Sequence, residues 1–350
     1  MTQRTLAGIL AAPLLIGLWV AAATEPLPFV TYEPGLTVDV LAETQGQEII
    51  QVQGHKVYRD DGELRMTTVY VSQPRPAKVT LAELMRDWVS PDDAVYPYKA
   101  VYAPDTTTEQ NKREGAVEMV SSQDSAVAVA LDELGYDVKP ATEVLSVIDG
   151  SPADGKLQVR DIFVSVDGQK ISSPDDVVKA VQGVQPGEVV DVVVRRDGKT
   201  THVGVTPEEK DGKPTIGIQL GTGYEFPFKV SVNIDPAIGG PSAGLMFSLG
   251  IYDTLTPGSL TDGETIAGTG TVDGAGKVGP IGGIQQKIVA ARDAGAKLFF
   301  VPPDNCKDAL GAPNGDMRLV KATTMHDAVT ALEAWDDDHD ADLPSCEEDS

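Results

Sequence analysis

The chain has 350 residues, 53 acidic against 28 basic, a formal charge of −25 and 41% apolar residues. Its length suggests two or three domains, and its apolar content rules out wholesale disorder. Such acidity excludes a nucleic-acid binder, which needs a basic face to displace counterions, and excludes docking on anionic lipid headgroups. Four histidines (His55, His202, His326, His339) and two cysteines, none in an HExxH, CxxC or zinc-ribbon spacing, predict no metal centre and no cofactor.

Residues 6–23 form an uncharged apolar run with Leu10, Leu14, Leu15, Ile16, Leu18, Trp19 and Val20. A run of that length is near the lower limit for crossing a bilayer as a helix. Arg4 precedes it and the next basic residue is Lys56. That bias puts the N-terminus in the cytoplasm and the bulk of the chain outside. The expectation is a single-pass cell-membrane anchor over residues 1–24. Ala21, Ala22 and Ala23 keep a cleaved signal peptide open as the alternative. Cys306 and Cys346 then lie in an oxidising space. A disulfide between them, closing a loop of about 40 residues, could contribute about 4 kcal/mol. Two unpaired thiols are the alternative.

Residues 25–132 read as a β-rich region with helices. Apolar and polar residues alternate at 36–41, 48–52 and 66–71, with a turn at Asp60, Asp61 and Gly62. Pro74 and Pro76 end the stretch. Thr80 and Glu83 form a capping box for a short helix through Trp88. A longer helical stretch covers residues 108–134, with a break expected near Ser121 and Ser122.

Residues 133–208 read as one small module. Asp-Gly pairs at 149–150, 167–168 and 197–198 punctuate its β runs. Ser173 as N-cap and Pro174 at the first helical position open a helix over 175–181. The segments 133–136, 147–153 and 162–168 resemble bacterial PDZ domains. The resemblance implies that Leu134, Gly135 and Tyr136 receive a peptide carboxylate and that extended peptides add as a strand. A module that only packs on its neighbours is the alternative. One departure is Arg160-Asp161, where the family usually has Gly-Asp.

From about residue 214 the pattern becomes α/β-like. Strands are expected at 229–234, 265–272, 298–301 and 317–320, and helices at 241–254, 284–294 and 325–335. Residues 337–350 read as an acidic tail, disordered apart from any tether at Cys346. The whole is an α+β chain with an N-terminal transmembrane anchor.

The chemistry-bearing stretch is Gly239, Gly240, Pro241, Ser242, Ala243 and Gly244. Glycines lead into Pro241 at the first helical turn, so Ser242 sits where backbone N–H groups have no intrahelical partner. Such donors can hold an oxyanion. An ordinary helix cap is the alternative. The same residues fit G-x-S-x-G, but that elbow needs Asp and then His downstream, and only His326 and His339 follow. Residues 268–277 fail as a phosphate loop, because Thr271 replaces the first glycine and Val278 follows Lys277. They read as a hairpin.

Taken with Thr269-Gly270, the run 278–287 ending in Lys287, then Ala290, Ala291 and Gly295, and Phe300-Val301-Pro302, these residues resemble the Lon proteolytic domain over 214–336. The resemblance implies Ser242 as nucleophile, Lys287 as general base and Thr269 as its support. By pattern alone, Lys287 reads as a lysine snorkelling from the Ile284, Ile288 and Ala291 side of its helix. Lys277 and Lys297 are weaker candidates. The chain as a whole resembles the membrane-anchored PDZ-Lon family. That implies an ATP-independent serine endopeptidase acting on extracytoplasmic proteins or peptides, in a possible homo-oligomer. A catalytically silent PDZ scaffold at the cell envelope is the alternative. Large cytoplasmic members of the family carry an acidic residue three before the serine, where this chain has Gly239. Their ATPase module is absent, so unfolding of stable substrates is not expected.

Overall fold

The computed structural model describes residues 2–44, 46–74, 79–185 and 187–349. Pro76 and the side chains of Arg4 and of residues 21–23 lie outside the described part.

Helix α1 (Gln3–Thr24) covers the apolar run. Among the described residues no helix is long and apolar enough to cross a membrane, which overturns the expected transmembrane anchor. Gly8, Pro13 and Gly17 lie within it, and Gln3, Arg4 and Thr5 occupy its first turn.

Strands β1 (Phe29–Asp39), β2 (Ile50–Gln53), β3 (Glu63–Val71) and β4 (Ala94–Pro97) alternate with helices α2 (Leu81–Val89) and α3 (Thr108–Glu133). Thr80 and Glu83 cap α2 as a capping box. Helix α3 is continuous, against the break expected at Ser121 and Ser122. The Ser122 hydroxyl does not compete for its own helix carbonyls: it donates to Pro241 O at 2.9 Å.

The next segment holds β5 (Lys139–Val147), β6 (Ile162–Val166), helix α4 (Pro174–Gln182), β7 (Val190–Arg196), β8 (Lys199–Val205) and β9 (Ile218–Glu225). They form an antiparallel sheet in the order β8-β7-β6-β5-β9. Val144, Phe163, Val166, Val177, Val181, Val192, Val194 and Val205 fill its core. Ser173 and Asp176 cap α4 reciprocally. Because β9 pairs along β5, the module's sheet runs on to Glu225, past residue 208.

The remainder adds β10 (Lys229–Val232), helix α5 (Gly244–Leu255), β11 (Thr265–Gly268), β12 (Thr271–Val272), β13 (Val278–Gly279), helix α6 (Ile284–Asp293), β14 (Leu298–Val301), β15 (Arg318–Lys321) and helix α7 (Met325–Asp337). The main sheet among the described residues runs β15-β14-β11-β3-β1-β4. Strands β3, β11, β14 and β15 are mutually parallel neighbours, while β1 pairs antiparallel with β3 and β4. The β-rich N-terminal region therefore supplies half of this sheet, and β10 pairs back onto β2. The module of β5–β9 is inserted between two parts of one larger domain.

Helix α5 is mostly apolar and buried apart from Tyr252, with Leu245, Met246, Phe247, Leu249 and Ile251 fully buried. It shares one face of the sheet with Leu64, Met66, Ile266, Leu298 and Phe300. Ile284, Ile288 and Ala291 of α6 pack with Ala267, Phe299 and Val301, whose side chains alternate to the opposite face. Among the described residues the C-terminal tail packs on the larger domain well beyond the expected tether at Cys346. A Cys306–Cys346 disulfide ties it down. Arg318 donates to His339 O and Ala341 O, and Lys321 N–H donates to Pro344 O.

The inserted module meets α3 at a polar junction in which Gln123, Asp124 and Glu143 are buried and Arg160 is partly exposed. Arg160 donates to Asp124 Oδ1 at 3.0 Å and to Gln123 Oε1 at 2.7 Å. Among the described residues Asp124 Oδ2 and Glu143 Oε1 have no hydrogen-bond partner. Burial first, and the Asp124 carboxylate second, push Glu143 up to about 9. A proton kept on Glu143 then serves both oxygens. Between the ordinary carboxylate range and about 9, the folded chain holds a proton that the unfolded chain releases. Stability from this group is lost as pH rises through that window. Glu143→Gln carries the donor without the titration. Urea midpoints measured from pH 5 to 9 should fall for the unaltered chain and stay flatter for Glu143→Gln.

Candidate active site

Residues 240–243 form a turn that precedes α5; the helix begins at Gly244, with Ala243 as N-cap, so Pro241 is not its first residue. The turn is held at several points. Gly240 N–H donates to Gly115 O at 2.9 Å, Ser122 Oγ to Pro241 O at 2.9 Å, and Gly270 N–H to Ser242 O at 2.8 Å. The backbone N–H groups of Ser242 and Ala243 have no acceptor among the described residues.

The strand expected over 265–272 breaks after Gly268, and this break is part of the site. Gly270 adopts φ +156°, where a Cβ would lie 2.6 Å from Val278 Cγ1. Thr269 leaves the sheet line but stays fully buried. Its hydroxyl donates to Ser242 O at 3.0 Å, which leaves an oxygen lone pair aimed at Lys287. Residues 271–279 then form the β12–β13 hairpin.

Helix α6 brings Lys287 to the same point. The side chain is 2% exposed, so it does not snorkel to solvent. Lys287 Nζ lies 2.7 Å from Ser242 Oγ and 3.0 Å from Thr269 Oγ1. Burial lowers its pKa to about 7, because desolvation disfavours the ammonium. Ser242, Lys287 and Thr269 are thus brought together. Lys277 is in the hairpin and Lys297 past the end of α6. His326 pairs with Glu133 and His339 with Asp262, both on the surface.

Two clefts share Ser242 and Lys287. One, of about 750 Å³, is walled by Val38, Ile49, Met66, Met119, Ile234 and Ile238. The other, of about 480 Å³, is walled by Tyr32, Val69, Val71, Pro280 and Ile281. Beyond Met66 strand β3 has outrun its neighbour β11, leaving residues 67–71 alongside the clefts.

The Leu134-Gly135-Tyr136 loop lies elsewhere than expected. It closes α3: Leu134 N–H donates to Ala130 O, Gly135 N–H to Asp132 O and Tyr136 N–H to Leu131 O. Leu134 and Tyr136 pack on the core of the larger domain, so these donors do not face a peptide groove. The groove of the inserted module lies between α4 and the edge strand β9. It has about 330 Å³ and is lined by Val177, Val178, Val181, Ile216, Ile218 and Leu220. Ile216-Gly217-Ile218 repeats the hydrophobic-Gly-hydrophobic pattern at the start of β9, and this second occurrence was the missed signal. Gly115 and Ser122 were also missed. A glycine inside a long helix was the available clue, since such a residue usually has a packing reason.

Gly239 departs from the acidic residue of the large cytoplasmic family members for a visible steric reason. A Cβ there would sit 3.2 Å from Gly115 C and 3.3 Å from Gly115 Cα and O. The backbone of α3 cannot yield as a side chain could. Gly239→Asp should therefore lower thermal stability by about 1–3 kcal/mol and push the serine turn off α3. A melting curve checks the first effect. Crystal coordinates of the variant, compared at Pro241 O and Ser122 Oγ, check the second.

Comparison with known proteins identifies both parts of this arrangement. Residues 143–196 match the PDZ domain, and residues 235–333 match the Lon protease (S16) C-terminal proteolytic domain. The chain is 42% identical over 82 residues to the Lon protease of Metamycoplasma arthritidis, covering 23% of this chain and 10% of that protein. It is 41% identical over 71 residues to the regulator of sigma-W protease RasP of Bacillus subtilis, covering 20% of this chain and 17% of that protein. Among solved structures, the PDZ domain of an SdrC-like protein from Listeria monocytogenes matches at 26% identity and a TM-score of 0.22, covering 23% of this chain and 86% of that one. The chain thus spans about a tenth to a sixth of the length of these curated relatives. It carries a PDZ domain followed by a C-terminal proteolytic domain of the Lon serine peptidases.

Proposed function

We propose that the chain is a serine endopeptidase in which Ser242 is the nucleophile and Lys287 its general base. The observation that carries this reading is the 2.7 Å contact between Ser242 Oγ and a fully enclosed Lys287 Nζ. A serine hydroxyl is a weak nucleophile until a base takes its proton. With its pKa lowered to about 7, Lys287 is largely a neutral amine at slightly alkaline pH. The amine donates one hydrogen to Thr269 Oγ1, and its lone pair faces the Ser242 hydroxyl. Attack forms the bond from Oγ to the peptide carbonyl carbon while the proton passes to Nζ. The backbone N–H groups at Ser242 and Ala243 are the free donors for the resulting oxyanion. Collapse breaks the C–N bond as Lys287 returns the proton to the leaving amine. Lys287 then takes a proton from water as it attacks the acyl ester, and returns that proton to Ser242 Oγ as the C–O bond breaks and the second product leaves. This chemistry consumes no nucleotide.

Protein or peptide substrates fit both parts of the chain. A peptide laid along residues 67–71 of β3 would present its carbonyl to Ser242, with apolar side chains in the larger cleft. The α4–β9 groove supports a second contact in which a peptide adds as a strand beside β9. The Cys306–Cys346 pair supports work in an oxidising compartment.

Ser242→Ala should abolish cleavage of a fluorescent casein while leaving the melting temperature within a few degrees. Lys287→Arg should be as inactive as Lys287→Ala, because arginine does not lose its proton. Near-normal turnover by Lys287→Arg removes the Ser-Lys assignment.

The base form is the deprotonated one, so kcat/KM should fall below about pH 7 and level off above it. A pH profile that rises towards acid would contradict Lys287 as the base.

A further inference from the structure

Helix α3 touches both the serine turn and the PDZ module. Gly115 and Ser122 are seven residues apart, two turns on one helix face. Gly115 O accepts from Gly240 N–H and Ser122 Oγ donates to Pro241 O, so the two grip consecutive residues of the turn. Pro241 immediately precedes Ser242. Ser122 itself is 5% exposed, and solvent does not substitute for its hydrogen bond. The next two residues of α3, Gln123 and Asp124, point to the PDZ module, where both accept from Arg160.

Arg160 is held at φ +71°. A residue with a Cβ is strained there, and glycine is not. The backbone therefore favours glycine, and the side chain must return something for the strain. What it returns is the bond to α3: its guanidinium reaches out of the PDZ sheet to Asp124 and Gln123. The loop that carries it is fixed to β5, since Arg160 N–H donates to Val144 O at 2.9 Å. Strand β5 in turn pairs with β9, which forms one wall of the peptide groove.

We propose that Ser122 is a positioning residue for the Ser242 turn, and that the PDZ module acts on the turn through the Arg160 contact to α3. This rests on the reading of Ser242 as nucleophile. Ser122 touches neither substrate nor the reacting atoms. It fixes the carbonyl before Ser242, and through it the direction of Oγ relative to Lys287 Nζ. Displacing a nucleophile by a fraction of an ångström lowers turnover more than it lowers binding.

The test uses the full chain and fluorescent casein, with amide hydrogen exchange of residues 239–244 as a readout independent of activity. Ser122→Ala should lower kcat about five- to tenfold with KM within twofold, and exchange at 239–244 should quicken. Ser122→Thr, which keeps the donor, should restore both. Arg160→Ala should lower kcat and quicken exchange in the unaltered background, and do neither once Ser122 is alanine, because coupled residues are non-additive. Unchanged kcat and exchange in Ser122→Ala overturn the proposal. So does an Arg160→Ala effect that is absent, or equal in both backgrounds. A Ser242→Ala control that still cleaves casein would instead remove the nucleophile reading, and the exchange data would then still decide whether α3 holds the turn.

Discussion

The energetic centre of this molecule is an ammonium group kept out of water. Moving the pKa of Lys287 from 10.5 to about 7 corresponds to roughly 5 kcal/mol acting against the charged form. A side chain held at that cost needs partners for whatever hydrogens it keeps, and two hydroxyls supply them. Each hydroxyl needs its own geometry. Thr269 reaches Nζ only because the chain leaves the sheet after Gly268, and its hydroxyl is oriented by donating to Ser242 O. Ser242 reaches it only because the 240–243 turn stops short of α5. The break in the strand, the late start of the helix and the buried lysine are three parts of one arrangement.

That arrangement depends on residues far apart in the chain. Strand β3 stands at the middle of the main sheet, yet it comes from the region before the PDZ module. Leu64 and Met66 close the core under α5, while Thr67 Oγ1 donates to Gly268 O where the strand breaks. Helix α3, from the same region, holds the serine turn. The proteolytic domain is therefore completed by its N-terminal strands and helix, and the PDZ module interrupts it as an insertion whose two ends, near α3 and β10, both return to the larger core.

Much of the site was legible in sequence through the resemblance to the Lon proteolytic domain, and less of it through local rules. Ser242, Thr269 and Lys287 sit in short glycine-marked segments that carry that resemblance, and the capping box at Thr80 and the N-cap at Ser173 were read from spacing alone. What was not legible depends on long-range contact. Lys287 lies on an apolar helix face, and whether such a lysine turns outward or is enclosed is decided by the sheet above it. The strand at 265–272 has β-like residues throughout; only the clash that a side chain at 270 would make with Val278 shows why glycine, and a break, belong there. The Leu134-Gly135-Tyr136 triplet has the expected residue pattern but serves a helix end, because Gly135 at φ +82° closes α3. The apolar run at 6–23 is long enough by count, yet among the described residues no helix is long and apolar enough to cross a membrane. The expected Cys306–Cys346 tether is present, but the contacts of Arg318 with His339 O and Ala341 O, which hold the rest of the acidic tail, are not registered by composition.

The junction between the two parts is polar where a rigid scaffold would be apolar. Asp124 and Glu143 place two buried carboxyls at this seam, and the half-exposed guanidinium of Arg160 closes over Asp124. Apolar residues of similar volume are often at least as stable in such a place. A charged seam is more directional: the guanidinium meets Asp124 and Gln123 in one orientation, and the proton on Glu143 has one acceptor to reach. Slippage of the PDZ module along α3 would leave a buried charge unpaired, whereas slippage across an apolar seam would cost little. The seam therefore gives the module a defined seat on the helix that holds the Ser242 turn, and the strain accepted at Arg160 is spent on that definition of position.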